Sequence, residues 1–329
     1  MALLAHRLRI LDRPGGLAIF VAFGLAVAVF WSIDALTGMR VAIPEEVRSP
    51  RFRLVVLAAV LGVVVGFIDD LFDLRARWQL AGQLLIGVVI VAAGIRIEFV
   101  NNPFDPQHLL LLGALAVPFT LFWVVGMINA LNFIDGLDGL AAGVSTIAAV
   151  CLGFIALSQP VNEPFVAWLQ FTLAGALLGF LFFNVHPARL FLGTTGVTFV
   201  GTVLAALSIF GTSKVAAALL VLGVPIIDTF YVIVRRLIER RPPFAPDRGH
   251  FHHRLLDVGL SHTQAVFLIY AMTALLGAIA LLATGQAQVL AFGAVFIAFG
   301  IAVVALAQRT PKAQEFEPEL YADGEEKTI

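Results

Sequence analysis

Charged side chains are scarce in this chain, and cysteine is almost absent. Only 13% of the 329 residues are charged while 60% are hydrophobic, whereas roughly 25% of the residues in a water-soluble domain are charged. A soluble globular protein is therefore excluded. The single cysteine, Cys151, excludes an internal disulfide and gives no indication of the redox compartment. The formal net charge of −1 says little about partners, because the charges are unevenly distributed along the chain.

The sequence contains several long apolar segments with few charged residues. A hydrocarbon core about 30 Å thick needs about 20 apolar residues per helix, and fewer where neighbouring helices shelter the ends. The sequence predicts an all-α polytopic membrane protein with about ten transmembrane helices, at residues 16–38, 54–67, 80–95, 109–127, 137–157, 165–183, 197–210, 215–234, 265–283 and 289–307. We predict an integral-membrane domain over residues 1–307, with a first helix that is not a cleaved signal peptide. The polar, acidic stretch 308–329 is predicted to be a disordered cytoplasmic tail.

The distribution of lysine and arginine predicts the orientation of these helices. If the N-terminus is cytoplasmic, 15 of the 21 Lys and Arg residues fall on the cytoplasmic side. The opposite side holds the other six, four of them in the first outer loop: Arg40, Arg48, Arg51, Arg53, Arg96 and Lys214. Because cytoplasmic loops of membrane proteins carry an excess of positive charge, we predict that both ends of the chain are cytoplasmic.

An acidic cluster closes the second predicted helix, where residues 63–74 read VVVGFIDDLFDL. The predicted orientation places Asp69, Asp70 and Asp73 at the cytoplasmic end, within reach of water or a polar substrate. At helical spacing Asp69 and Asp73 are i, i+4 neighbours and Asp70 and Asp73 are i, i+3 neighbours, so their charges repel. A cation, a metal ion or a shifted protonation would relieve that repulsion. A solvated, acid-rich helix end is the alternative interpretation.

Three further polar clusters fall on the same predicted side. They are NALNFIDGLDGLAAG at 129–143, NVHPARLFLGTTGVTFVG at 184–201 and RRPPFAPDRGHFHHRL at 240–255. Counting the acidic cluster at 63–74 as the first, these are the second, third and fourth clusters. The chemically active side chains of the second and fourth are Asn129, Asn132, Asp135, Asp138, His250, His252 and His253. Four separated clusters on one side of the membrane predict a single composite site.

Carboxylates, amides and basic side chains in one site are typical of magnesium and phosphate binding. Mg²⁺ prefers oxygen ligands and usually shares its shell with a phosphate-bearing substrate, while histidine and arginine orient or neutralise phosphates. Each part also has a plainer interpretation. Asp135 and Asp138 beside glycines suit a turn and a helix N-terminus. The three histidines suit a zinc site, although no thiolate accompanies them.

Four motifs together carry a family resemblance: DDLFDL, NALNFIDGLDGLAAG, NVHPARLFLG and DRGHFHHRL. In this order, from about Arg13 to the tenth helix, the chain resembles the polyprenyl-phosphate N-acetylhexosamine-1-phosphate transferases of glycosyltransferase family 4 type. HFHH and NFIDGLDGLAAG are similar to the N-acetylglucosamine-1-phosphate branch more than to the branch that makes lipid I. The resemblance implies transfer of a sugar 1-phosphate from a UDP-sugar to a polyprenyl phosphate, with release of UMP, at the start of cell-envelope polysaccharide synthesis.

The resemblance also implies roles for individual residues. Asp69 and Asp70 match the family's catalytic acid pair, one activating the lipid phosphate and the other binding or positioning the metal. Asp135 and Asp138 match the acidic motif that helps to form the nucleotide and metal pocket. The substrate-binding residues that it implies are Asp73, Asn132, Asp228, Arg248, His250, His252 and His253. The implied cofactor is Mg²⁺, with Mn²⁺ as the alternative, at Asp70, Asp138 and the position of Thr194.

The implied partners are a UDP-sugar, a polyprenyl phosphate and the lipid bilayer. The resemblance places the chain in a bacterial-type cytoplasmic membrane, with the active site on the cytoplasmic face. Nothing in the sequence indicates a nucleic-acid partner. The sequence does not choose between a monomer and a homodimer, nor does it choose the sugar or the isoprenoid length.

Three departures from the family pattern bear on catalysis. We expect no counterpart of the family's additional N-terminal helix, which precedes the match to Arg13. Gln79 stands where the family has a lysine, with Arg75 and Arg77 nearby as substitutes. Thr194, within the run GTTGV, stands where the family has a metal-binding aspartate. A neutral hydroxyl lacks the full negative charge with which a carboxylate binds Mg²⁺.

Three function classes stay open at this point. An active phosphoglycosyltransferase is favoured, because most of the composite site is retained. A catalytically impaired relative would bind polyprenyl phosphate or a partner enzyme without turnover. An unrelated carrier would use intramembrane acids as an ion path, but carriers concentrate charge near the bilayer midplane, whereas these acids cluster at one face.

Overall fold

The computed structural model describes residues 14–37, 50–102, 104–105, 108–159, 161–210, 215–240, 249–283 and 285–309. Within these ranges the chain forms twelve α-helices, a short β-hairpin and one 3-10 turn. The helices are α1 (Gly15–Thr37), α2 (Pro50–Phe72), α3 (Ala76–Ala92), α4 (Ala116–Ile134), α5 (Leu140–Leu157), α6 (Pro164–Asn184), α7 (Gly193–Ile209), α8 (Val215–Val221), α9 (Gly223–Ile238), α10 (Phe251–Asp257), α11 (His262–Leu282) and α12 (Gln286–Arg309). The hairpin pairs β1 (Phe99–Asn101) with β2 (Leu109–Leu111), and the 3-10 turn spans Gly113–Leu115.

Six of the described helices are long and apolar enough to cross a membrane: α1, α2, α4, α5, α6 and α11. Helices α8 and α9 form a seventh candidate if they are taken as one span, although they are bent by 80°. Three shorter apolar helices, α3, α7 and α12, complete the set. Each predicted segment overlaps one of these helices or the bent pair. A predominantly helical, multi-pass membrane protein is thus confirmed, and the count of ten spans stays a prediction.

The fourth predicted segment, 109–127, is wrong in position. Its first three residues form β2, which pairs antiparallel with β1 so that Leu110 lies opposite Val100. A short apolar run does not distinguish a strand from a helix by hydropathy alone. Helix α4 begins at Ala116 and continues to Ile134. As a result Asn129 and Asn132 lie within a helix rather than in the loop that follows it.

The eighth predicted segment is a broken helix. Helix α8 ends at Val221, α9 begins at Gly223, and the axis turns by 80° between them. Pro225 lies in the first turn of α9, where its missing N–H removes no helical hydrogen bond. Because of the bend, α9, which carries Asp228 and Arg236, runs in a different direction from α8.

Helix α7 lies at the centre of the bundle. Its residues from Thr195 to Ile209 are all buried, and α2 and α4 pack against it. A helix that is apolar on every face is stable only when other helices surround it. The outer helices instead expose large apolar side chains, among them Phe122, Phe267 and Leu275, which suits contact with lipid. From Thr195 onward α7 is therefore enclosed by other helices, whereas Gly193 and Thr194 at its N-terminus are half-buried.

The predicted tail lies almost entirely outside the described residues. Helix α12 continues to Arg309, two residues beyond the predicted end of the membrane domain. Residues 310–329, and with them the predicted disorder of the tail, fall outside the ranges that the structure describes.

Candidate active site

Asp69 lies in the last turn of α2 and is 6% exposed. Its Oδ1 accepts hydrogen bonds from the backbone N–H of Leu74 (3.0 Å) and from Nε2 of Gln79 (2.8 Å). Its Oδ2 accepts no hydrogen bond within the described part of the chain. A carboxylate oxygen without a partner in the protein can accept a hydrogen bond from water or from a ligand. Asp69 therefore has one oxygen available for a ligand.

Gln79 replaces the lysine expected from the resemblance, and it supplies a hydrogen bond without a charge. Of the two arginines considered as substitutes, Arg77 places its guanidinium over the ring of Trp78, 5.6 Å from the centroid. Arg75 is exposed and precedes the first residue of α3. Asp69 thus has a neutral hydrogen-bond donor at the position where a cation was expected.

Asp73 caps the end of α2. The helix ends at Phe72, but the N–H of Asp73 still donates to the carbonyl of Asp69 at 2.9 Å, so Asp73 lies one turn after Asp69 as predicted. Its φ of 45° turns the chain away from the helix after this residue. The helix ends here because the N–H of Leu74 turns back to the side chain of Asp69 instead of extending the helical ladder. Asp73 is exposed, and its repulsion with Asp69 and Asp70 stays a prediction.

Asp70 is bound to the N-terminus of α7. Its Oδ1 accepts from the N–H of Thr194 (2.9 Å), and its Oδ2 accepts from the N–H (2.9 Å) and Oγ1 (2.6 Å) of Thr195. The carboxylate satisfies helix donors that have no partner within the helix, and its charge is favourable at this end of the helix dipole. Gly193 precedes them with a φ of 67°, and a Cβ there would lie 2.8 Å from Asp70 Oδ2. Asp70 thus joins the first polar cluster to the third.

Asp138 joins the second cluster to the third and to α11. Its Oδ2 accepts from Nδ1 of His186 (2.7 Å) and from the N–H of Ala188 (3.1 Å). Its backbone carbonyl accepts from Nε2 of His262 (3.2 Å). The rings of His186 and His262 stack with their centroids 4.1 Å apart and an interplanar angle of 20°.

The surroundings of Asp138 favour its ionised form. Partial burial would raise the pKa of this carboxyl, but the hydrogen bonds from His186 and Ala188 and the charges of His262 and His186 lower the pKa below its ordinary value of 3.8. The carboxylate is therefore negative at neutral pH.

Asp228 binds the start of the segment that contains His250, His252 and His253. It is 1% exposed, and its Oδ2 accepts from Nδ1 of His250 (2.9 Å) while its Oδ1 accepts from the N–H of Phe251 (2.8 Å). With Nδ1 as the donor, the neutral ring of His250 has its lone pair at Nε2. The ring of His250 also lies 5.4 Å from that of Phe133, at the end of α4. Asp228 is thus a positioning residue for the loop predicted to contact the substrate.

His252 packs against the second cluster from the fourth. It is 2% exposed, and its Nε2 is buried without a hydrogen-bond partner. A Cβ at Gly136 would lie 2.4 Å from that nitrogen, so only glycine allows this approach. Burial, with smaller effects from the charges of His253 and His250, lowers the pKa of His252 from 6.5 to about 3. His252 is therefore neutral at physiological pH.

Several residues of the site were missed from the sequence. Asn184, at the end of α6, accepts from the N–H of Gly139 (3.1 Å) and donates to the carbonyl of Leu190 (2.8 Å), so it connects two of the loops. An amide that ends an apolar helix was a signal for it. Arg236 is 3% exposed, with its guanidinium 5.9 Å from the ring centroid of Phe133. Arg236 could not be recognised from its position, because adjacent arginines at a helix end usually face water.

The other predicted residues have less specific surroundings. Asn132 and Asp135 are half-buried at the end of α4, and His253 is half-buried with its ring 4.2 Å from that of His252. Arg248 lies outside the described residues. Hydrogen bonds and ring contacts connect the described members of all four clusters, as the composite site predicts. Of the predicted metal ligands, Thr194 contacts Asp70 through its backbone N–H, whereas Asp138 groups with His186 and His262.

The comparison with known protein families decides the assignment. Residues 52–212 match the model of the family described as "Glycosyl transferase family 4". Over 268 residues the chain is 38% identical to the "Probable undecaprenyl-phosphate N-acetylglucosaminyl 1-phosphate transferase" of Bacillus subtilis (strain 168), covering 80% of this chain and 70% of the relative. The chain belongs to glycosyl transferase family 4.

Two further relatives are similar to this family member. The "Decaprenyl-phosphate N-acetylglucosaminephosphotransferase" of Mycolicibacterium smegmatis is 34% identical over 318 residues, which cover 89% of this chain and 75% of the relative. The "Undecaprenyl-phosphate alpha-N-acetylglucosaminyl 1-phosphate transferase" of Escherichia coli (strain K12) is 30% identical over 245 residues, which cover 71% of this chain and 66% of the relative. The predicted family and its N-acetylglucosamine branch are confirmed.

Proposed function

We propose that this family 4 member transfers N-acetylglucosamine 1-phosphate from UDP-N-acetylglucosamine to a polyprenyl phosphate and releases UMP. The names of its relatives support the sugar phosphate and the polyprenyl acceptor, and the family implies the UDP donor. The single structural observation that carries the proposal is the unpartnered Oδ2 of Asp69, on a carboxylate held in place by Leu74 and Gln79.

In this reaction an oxygen of the acceptor phosphate forms a bond to the phosphorus that carries the sugar. The bond from that phosphorus to the UMP oxygen breaks, and UMP leaves. Asp69 takes or holds the proton of the acceptor phosphate through Oδ2, because Oδ1 already accepts two hydrogen bonds. General-base assistance of this kind contributes about 10²–10⁴-fold in rate. Asp70 acts as a positioning residue, since Thr194 and Thr195 already donate to both its oxygens.

The predicted Mg²⁺ ligands Asp70 and Asp138 already accept hydrogen bonds within the protein. Both oxygens of Asp70 accept hydrogen bonds from α7, and Oδ2 of Asp138 accepts two more. Thr194 offers a hydroxyl in place of a charged ligand. We therefore derive no step of the reaction through Mg²⁺. Its requirement stays a prediction, as does that of Mn²⁺.

The location follows from the substrates. The acceptor phosphate lies at headgroup depth on a lipid, and the nucleotide sugar arrives from water. Asp69, Asp70 and Asp135 lie at the ends of α2 and α4 rather than near the middle of a helix, which favours an interfacial enzyme over an ion carrier. The orientation of the positive charges supports a site on the cytoplasmic face of a cytoplasmic membrane.

The proposal is tested with the purified chain in detergent, given UDP-N-acetylglucosamine and polyprenyl phosphate. Mass spectrometry of the lipid extract should detect the N-acetylglucosamine diphosphate lipid, formed in equal amount to UMP. A chain that retains polyprenyl phosphate but forms neither product would instead be the catalytically impaired relative. UDP-N-acetylgalactosamine, offered in place of the donor, tests the sugar.

A further inference from the structure

Tyr270, in the middle of α11, contacts the loop that carries Asp138. Its hydroxyl donates a hydrogen bond to the backbone carbonyl of Gly139 at 2.5 Å. The same carbonyl accepts a helical hydrogen bond at the start of α5, from the N–H of Gly143 at 2.9 Å. A carbonyl oxygen has two lone pairs and can accept both bonds. Tyr270 therefore connects α11 to the residue that directly follows Asp138.

Two glycines give the tyrosine ring its place against α5. A Cβ at Gly143 would overlap the hydroxyl and the ring of Tyr270, and a Cβ at Gly139 would lie 3.3 Å from the hydroxyl. Gly139 also has a φ of 81°, which side chains other than that of glycine rarely adopt. The start of α5 is thus shaped to admit Tyr270.

Side chains from other elements hold the two peptide groups that follow Asp138. In the first peptide group, the N–H of Gly139 donates to Oδ1 of Asn184 at 3.1 Å. The carbonyl of that group, which belongs to Asp138, accepts from Nε2 of His262 at 3.2 Å. In the second peptide group, the carbonyl of Gly139 accepts from Tyr270. Because a glycine backbone is otherwise permissive, these bonds fix the direction in which the chain presents Asp138.

We propose that Tyr270 is a positioning residue for the UDP-sugar side of the site. Its hydroxyl holds the loop containing Asp138 in the orientation that binds the nucleotide sugar. This inference rests on the proposed transferase function, in which Asp138 belongs to the nucleotide pocket. Asp69, assigned to the acceptor phosphate, lies on α2 and is held by other partners. Loss of the Tyr270 hydroxyl should therefore weaken binding of the donor and leave binding of the acceptor unchanged.

The test compares Tyr270→Phe with the unchanged chain in detergent. The KM for UDP-N-acetylglucosamine should rise about 3–10-fold, the effect of one lost hydrogen bond, while the KM for polyprenyl phosphate stays the same. Hydrogen exchange of residues 135–143 should become faster, because the loop loses a bond to α11. The variant should fold, since the carbonyl of Gly139 still accepts from the N–H of Gly143.

Thr273→Val is the matched control. Thr273 lies nearly one turn further along α11 and is fully buried, but its hydroxyl donates to the carbonyl of Ile269 in its own helix at 2.9 Å. This variant should leave both KM values and the exchange of residues 135–143 as in the unchanged chain. An equal rise of both KM values in Tyr270→Phe, or the same donor effect in Thr273→Val, would overturn the positioning role.

Calorimetric binding of UDP-N-acetylglucosamine without acceptor separates this inference from the proposed function. If the unchanged chain binds the donor more tightly than Tyr270→Phe but forms no lipid product, the positioning role stands and the transferase function fails. If product forms but both chains bind the donor equally, only the positioning role is overturned. Absence of donor binding by the unchanged chain would also overturn it.

Discussion

Asp69 and Asp70 are adjacent, but the structure predicts that Asp69→Asn impairs turnover with little effect on stability, whereas Asp70→Asn destabilises the fold. In Asp69→Asn the amide oxygen still accepts from Leu74 and Gln79, and the new amide group takes the place of the unpartnered Oδ2. The free energy of unfolding should change by less than about 1 kcal/mol. Turnover should fall by about 10²–10⁴-fold, because the proton acceptor is lost.

Asp70→Asn removes a charge and an acceptor from the N-terminus of α7. Its amide group must face either the N–H of Thr194 or the two donors of Thr195. An unsatisfied buried donor costs about 1–3 kcal/mol, and the lost charge at the helix dipole costs about 0.3–1 kcal/mol. Together they predict a loss of about 2 kcal/mol or more, seen as a melting temperature lowered by several degrees.

The assay pairs thermal melting in detergent with the rate of UMP release at a temperature where every variant is folded. Thr195→Val is the graded control, because it removes the hydrogen bond from Oγ1 of Thr195 to Asp70 and should destabilise by about 1 kcal/mol. Normal turnover of Asp69→Asn, or equal melting temperatures of the two asparagine variants, would contradict these roles of Asp69 and Asp70.

Three other changes test separate parts of the account. Burial lowers the pKa of His252 to about 3 from 6.5, so as the pH falls from 7 to 5 the unfolded chain binds a proton that the folded chain does not. The folded state therefore loses stability over this range. In His252→Gln, about 2 kcal/mol of that loss should disappear, as measured by thermal melting at each pH. Thr194→Asp restores a charged ligand, so it should lower the Mg²⁺ concentration for half-maximal UMP release, and an unchanged requirement would show that Thr194 is not the limiting defect. The orientation can be tested by cysteine labelling, since the native Cys151 is buried. An impermeant thiol reagent should label His108→Cys in sealed right-side-out cells, but should label Val185→Cys only after the membrane is opened. The reverse pattern would invert the proposed orientation.

The sequence could predict the helices because bilayer thickness imposes a minimum apolar length, and this holds along most of the chain. It failed at residues 109–111, where three leucines form a strand, and at the bend between α8 and α9. Hydropathy records how apolar a segment is, but not where its backbone turns.

The acids could be placed at the ends of helices from the sequence, but their partners could not. Asp70 is bound by backbone donors 124 and 125 residues away, and backbone donors have no signature in the sequence. Asp138 pairs with His186 across 48 residues, and His262 was absent from the predicted site because its segment reads simply as the start of an apolar helix. Pairings of this kind depend on how the helices pack.

The most direct test of the central claim is UMP release by the purified, unchanged chain from UDP-N-acetylglucosamine, measured with and without polyprenyl phosphate. The account predicts UMP that appears only when the lipid acceptor is present and that is almost abolished in Asp69→Asn. Absence of lipid-dependent UMP over a full range of Mg²⁺ and Mn²⁺ concentrations would contradict it.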